Sequence, residues 1–161
     1  MRNDWKKAHS GSARVPRRVF VSVVAGGLLA WTAPALAQAG TAGFTVRIVE
    51  GTKGPAPKVD PKLGDLKREL ETLHQEFNSF ALVGEHPVRL AVGARHALKL
   101  PDGADLALRL LELVAGPPPR VRHQLELPKS RTVRSVAPGG RTIDVRPWGD
   151  KLIIICTAVD K

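Results

Sequence analysis

The chain has 161 residues, 43 % of them hydrophobic, and carries 25 Lys and Arg against 15 Asp and Glu, a formal net charge of +10. Its single cysteine, Cys156, excludes an intramolecular disulfide. Only 4 % of residues are aromatic, too few for the stacking platforms that single-stranded nucleic acid needs, so no specific nucleic-acid partner is expected.

Residues 1–37 read as an export signal. Arg2, Lys6, Lys7, Arg14, Arg17 and Arg18, against Asp4 alone, precede the apolar run from Val19 to Trp31, and Pro34 leads into Ala35-Leu36-Ala37. A basic lead, a short apolar stretch and an A-x-A site together predict a cleaved signal peptide and an exported location, periplasmic or extracellular. The run falls short of the ~20 residues that cross a bilayer as a helix, so no transmembrane span is expected in the mature chain. Arg17-Arg18 leaves the twin-arginine route beside general secretion, with Pro16 where Ser or Thr is usual. The signal holds six of the 25 basic and one of the 15 acidic residues, so half of the net charge leaves with it.

Residues 38–43 are small and predict a flexible tether, followed by a single β-rich domain over 44–161. Phe44 to Glu50 alternates apolar and polar positions as a strand with one wet face does. After the Gly/Pro loop 51–58, Asp60 and Pro61 supply a helix cap and first position. Leu63, Leu66, Leu70, Leu73 and Phe77 then form one apolar stripe at spacings of three and four, and Lys67 with Glu71 makes an i,i+4 pair on the other side. Beyond Asn78 the period falls to two. Short strands are expected around Phe80–Val83, Val88–Val92, Leu98–Leu100, Leu106–Leu110, Val121–Leu127, Ile143–Val145 and Leu152–Val159. Pro101-Asp102-Gly103 and Pro138-Gly139-Gly140 mark turns, and the adjacent Leu110-Leu111 pair predicts a bulge. About eight short strands at this spacing predict a mainly β fold, an antiparallel sandwich or open barrel, with one amphipathic helix between its first and second strands.

The motifs that carry chemistry are missing: there is no G-x-S-x-G, H-E-x-x-H, C-x-x-C or glycine loop leading into a helix. His74, His86, His96 and His123 fall on separate elements without metal-site spacing, so no metal, cofactor or catalytic residue is assigned. His123 is in phase with Val121 and Leu125 and reads as a strand histidine bonded to a neighbour. Cys156, inside Leu152-Ile153-Ile154-Ile155-Cys156, reads as a small buried hydrophobe. Charge is uneven in one place. Arg120, Arg122, Lys129, Arg131, Arg134, Arg141 and Arg146 face only Glu126 and Asp144 in sequence. They form either a solvated sheet face or a surface that attracts polyanions.

The stretch Val59-Asp60-Pro61-Lys62-Leu63-Gly64-Asp65-Leu66-Lys67-Arg68-Glu69-Leu70, with Phe77-Asn78-Ser79-Phe80-Ala81-Leu82 after it, resembles small exported proteins of unknown function found in myxobacteria, in which a D-P-x-L-x-x-L helix precedes an F-x-S-F-x-L strand. The resemblance implies an envelope or secreted setting and a helix-plus-β layout, with no active site or ligand attached. The resulting expectation is an exported envelope accessory or interaction module without catalytic activity, its partner an envelope protein or an anionic surface polymer. Two other classes compete with it: a small hydrolase assembled from distant residues around His123, and a weak binder of anionic surface polymers.

Overall fold

The computed structural model describes residues 40–73 and 76–161. The signal at 1–37, the first two residues of the tether and His74 lie outside the described residues.

β1 (Thr41–Thr52) sends Phe44, Val46 and Ile48 to one face and Val49 to the other, all fully buried. It begins at Thr41, which corrects the last three residues of the expected tether. Their small size serves packing instead: Ala42 is buried opposite Leu90, and a Cβ on Gly43 would collide with the Asp160 carboxylate. The two-residue β2 (Lys58–Val59) follows, and then the helical segment. Asp60 Oδ1 accepts from the Lys62 N–H at 2.9 Å and Pro61 opens the first turn, as the sequence predicts. Residues Pro61–Leu66 wind as a 3-10 helix before α1 (Lys67–Leu73) begins, in keeping with a helix-weakening Gly64 within that turn. Of the expected stripe, Leu63, Leu66 and Leu70 are at most 1 % exposed and Leu73 is partly buried, while α1 ends at Leu73 and leaves Phe77 past the helix, packed against the same core.

β3 (Ser79–Ala91) joins two expected strands into one of 13 residues. The break in alternation between them is a bulge: Ile48 pairs with Gly84 but Val49 with Leu82, leaving Val83 extra and half exposed. β4 (Arg95–Lys99), β5 (Asp105–Val114), β6 (Arg120–Leu127), β7 (Ser130–Val136), β8 (Arg141–Trp148) and β9 (Lys151–Val159) complete the chain. The bulge expected at Leu110-Leu111 is present, as a register shift between Leu110 and Glu112 against β6. Gly103 adopts φ 79° in the turn predicted at Pro101-Asp102-Gly103.

The strands form two sheets, β2-β3-β1-β9-β8 and β4-β5-β6-β7. Between them lies one core, with Phe44, Val46, Ile48, Leu106, Leu108, Leu110, Ile153 and Ile155 at its centre. A second core joins the outer face of the first sheet to the helical segment through Val49, Leu63, Leu66, Leu70, Phe80, Leu152, Ile154 and Cys156. β9 is therefore covered on both faces, which is why its sequence is a continuous apolar run rather than an alternating one. Ion pairs hold the helical layer down: Arg141 reaches Asp65 at 3.0 Å and Glu69 at 2.7 Å, and Arg47 reaches Asp65 at 2.7 Å. No helix among the described residues is long and apolar enough to cross a membrane.

Among the described residues neither margin of the sandwich is closed by a backbone ladder between the sheets. Where β3 turns into β4, Gly93 N–H to Leu110 C=O at 2.8 Å and Leu110 N–H to Ala94 C=O at 3.2 Å extend the β4–β5 ladder into the turn. On the opposite margin the β7–β8 turn is held to β9 by Gly139 N–H to Val159 C=O at 2.8 Å and Val159 N–H to Gly140 C=O at 2.9 Å, and among the described residues no backbone hydrogen bond links β7 to β8. The fold is a two-sheet sandwich, and the β7–β8 margin forms an open seam.

Candidate functional site

The seam widens into a cleft of about 280 Å³, walled by Leu127, Pro128, Lys129 and Ser130 from the β6–β7 turn and by Asp144, Val145, Arg146 and Pro147 from β8. Register explains which side chains enter it. Asp144 and Arg146 pair with Ile155 and Ile153, whose side chains fill the inter-sheet core, so both point between the sheets. On β7, Arg134 pairs with His123, an inward residue, and therefore also points inward.

Polar groups in the seam are incompletely matched. Arg134 Nη2 lies 3.8 Å from Asp144 Oδ1, while Asp144 Oδ2 is buried without a hydrogen-bond partner. Burial pushes the Asp144 carboxyl above the ordinary aspartate value, against the opposing charge of Arg134. Arg146 reaches across to the β4–β5 turn, Nη2 to Asp102 Oδ2 at 2.9 Å, and Asp102 is fixed in turn by the Ala104 N–H at 3.1 Å. The other terminal guanidinium nitrogen, Nη1, is buried and unpartnered. Each such group costs about 1–3 kcal/mol when nothing satisfies it. Two further hollows beside the helical segment, lined by Pro57, Gly64 and Glu71 or by Lys58, Ser79 and Ala81 among others, have no buried unpartnered polar atom in their walls.

His123 lies deeper, 1 % exposed, with its ring edge-on to Phe44 at 5.5 Å and Nδ1 unpartnered. Burial lowers its pKa below the ordinary value; the Val121 backbone opposes this and the Arg134 charge adds to it. His123 lines neither the seam cleft nor the two hollows beside the helical segment. Among the described residues no group of three His, Cys, Asp or Glu is placed to hold a metal ion.

The seven basic residues singled out from sequence are spread over three surfaces. Arg120, Arg122 and Arg131 lie on the outer face of the second sheet; Arg120 donates to Ser135 C=O at 2.7 Å, Arg122 faces Glu112 at 3.5 Å and Arg131 faces Glu126 at 3.6 Å. Arg134 and Arg146 enter the seam, and Lys129 stands exposed on its rim with no ion pair among the described residues. Arg141 lies on the far side of the first sheet, where it clamps the helical segment. Arg134 does not share a face with Arg122, because the β6–β7 register puts it in phase with His123. Sequence reasoning missed Arg95 and Arg109, directly opposed across β4 and β5 on the outer face of the second sheet. Their alternation with inward residues was the available signal.

No family model, no curated protein and no solved structure matches the chain.

Proposed function

We propose that this protein is an exported accessory module that captures an extended segment of a partner protein by strand addition along the seam between β7 and β8. The observation that carries this reading is the pairing of two unladdered strand edges with a cleft whose walls hold a buried unpartnered acceptor and a buried unpartnered donor. Alternate residues of an edge strand turn their N–H and C=O groups outward, and an incoming strand satisfies them. The signal-like residues 1–37 and the resemblance of the helix and following strand to small exported proteins support an envelope setting. A photo-reactive residue at position 129, on the cleft rim, should yield an adduct in the producing cell, whereas the same residue at position 83, on the exposed bulge of β3, should not. Equal adducts from both positions would contradict the reading.

A second reading has its own observation. The outer face of the second sheet sets Arg95 against Arg109 and adds Arg120, Arg122 and Arg131, with Glu112, Glu126 and Asp105 as its anions. Like charges placed directly opposite each other destabilise a sheet, and an anionic surface polymer would relieve them. Retention on heparin that falls steeply with salt and is lost in an Arg95→Glu, Arg109→Glu double variant would favour it.

A further inference from the structure

We infer that the seam cleft selects an extended peptide bearing an acidic side chain, which Arg146 and Lys129 hold while Asp144 takes a backbone N–H of the same segment. This rests on the strand-addition reading above and names what that site recognises.

Size restricts the occupant first. The four β8 residues of the wall, Asp144–Pro147, span roughly 10 Å at ~3.4 Å per residue, room for about three residues of extended chain. A cleft of about 280 Å³ accommodates a strand segment and excludes a folded domain. Asp144 and Arg146 sit two apart on one strand face, about 7 Å along its axis, comparable to the i,i+2 repeat of a strand lying beside it. The unpartnered Oδ2 of Asp144 accepts and the unpartnered Nη1 of Arg146 donates, so the occupant must present both a donor and an acceptor.

Charge decides the side chain. Arg134 is turned to Asp144, Arg146 to Asp102 and Arg131 to Glu126. Glu126 is shared with Arg95 at 3.3 Å and Lys129 has no ion pair among the described residues, leaving the rim with positive charge in excess. Leu127, Pro128, Val145 and Pro147 form the remaining wall. That apolar wall suits the methylene stem of a glutamate under its carboxylate, as long charged side chains bury their stems along apolar surface. A fully hydrated anion such as a sugar phosphate gains nothing from it.

The test uses short peptides of alternating Thr and Val, capped at both ends, with Glu, Gln or Lys at the centre, titrated into the mature protein while amide exchange of β7 and β8 is followed. The Glu peptide should bind about tenfold more tightly than the Gln peptide, the gain expected of a charge-assisted hydrogen bond, and the Lys peptide most weakly. Lys129→Glu, a change on an exposed turn that leaves the core intact, should invert the order of the Glu and Lys peptides. Equal affinities for Glu and Gln, with β7 and β8 amides protected by both, would overturn the acidic selectivity and leave strand addition standing. Binding only by uncapped peptides, whatever the central residue, would overturn the side-chain assignment in favour of a terminal carboxylate. No change in β7 and β8 exchange with any peptide would overturn both proposals.

Discussion

Arg134 and Asp144 meet at 3.8 Å across the β7–β8 margin of the sandwich, where the two strands exchange no backbone hydrogen bonds among the described residues. The pair bridges the narrow end of the seam, and the cleft opens beyond it toward Arg146. Half of the Asp144 carboxylate is thus engaged and half is left over.

If that leftover oxygen serves binding rather than folding, its removal should not weaken the free protein. Burial already disfavours the charged form of Asp144, so Asp144→Asn should leave the stability at pH 7 unchanged or raise it by about 1 kcal/mol, since a neutral amide is cheaper to bury than a carboxylate. The same substitution should weaken peptide capture. A loss of stability in urea melts would show that the carboxylate is a structural strut for Arg134.

His123 should make the fold acid-sensitive. Its folded-state pKa lies below the ordinary 6.5 because it is buried. The unfolded chain therefore takes up the proton first as the pH drops below 6.5, and stability that is complete above that value is lost as the pH falls toward the folded-state pKa. Urea midpoints at pH 7.5 and 5.5 should differ in the wild type and differ much less in His123→Leu. Equal pH dependence in the two proteins would remove His123 as the cause.

The helical layer should be integral to the fold. Leu66 and Leu70 are at most 1 % exposed, in the core beneath β1 and β9, so Leu66→Ala or Leu70→Ala should cost roughly 2–5 kcal/mol. A cost near zero in denaturant melts would mean that the helix is dispensable.

Cys156 should be inert while the protein is folded. It is 3 % exposed, and burial pushes its thiol up to about 11, so little thiolate forms at pH 8. A bulky thiol reagent should label it only after denaturation; rapid labelling of the native protein would show that the second core opens.

Much of the scaffold was legible in the sequence because burial writes itself as periodicity. The leucine stripe from Leu63 to Leu70, the inward set Leu106, Leu108 and Leu110 and the doubly buried Leu152–Cys156 run each carry their geometry in residue type. β7 was not legible. Ser130–Val136 has its apolar residues at Val133, on the outer face, and at Val136, at its end, so no alternation marks it as a strand. The long β3 was divided in two because the Val83 bulge inverts the phase within it. The seam was hidden for a different reason: it depends on which strands fail to pair, and pairing is a property of topology. Asp144, Arg134 and Arg146 were visible as charges, but their convergence needed the register of β6 with β7 and of β8 with β9.

The most direct test of the open seam is amide hydrogen exchange, strand by strand, in the free protein and with the Glu-bearing peptide bound. The account predicts that alternate amides of β7 and β8 exchange orders of magnitude faster than those of β1 and β9 in the free protein, because they have no ladder partner, and become protected on binding. Slow exchange along both seam edges in the free monomer, or rates that the peptide leaves untouched, would contradict it.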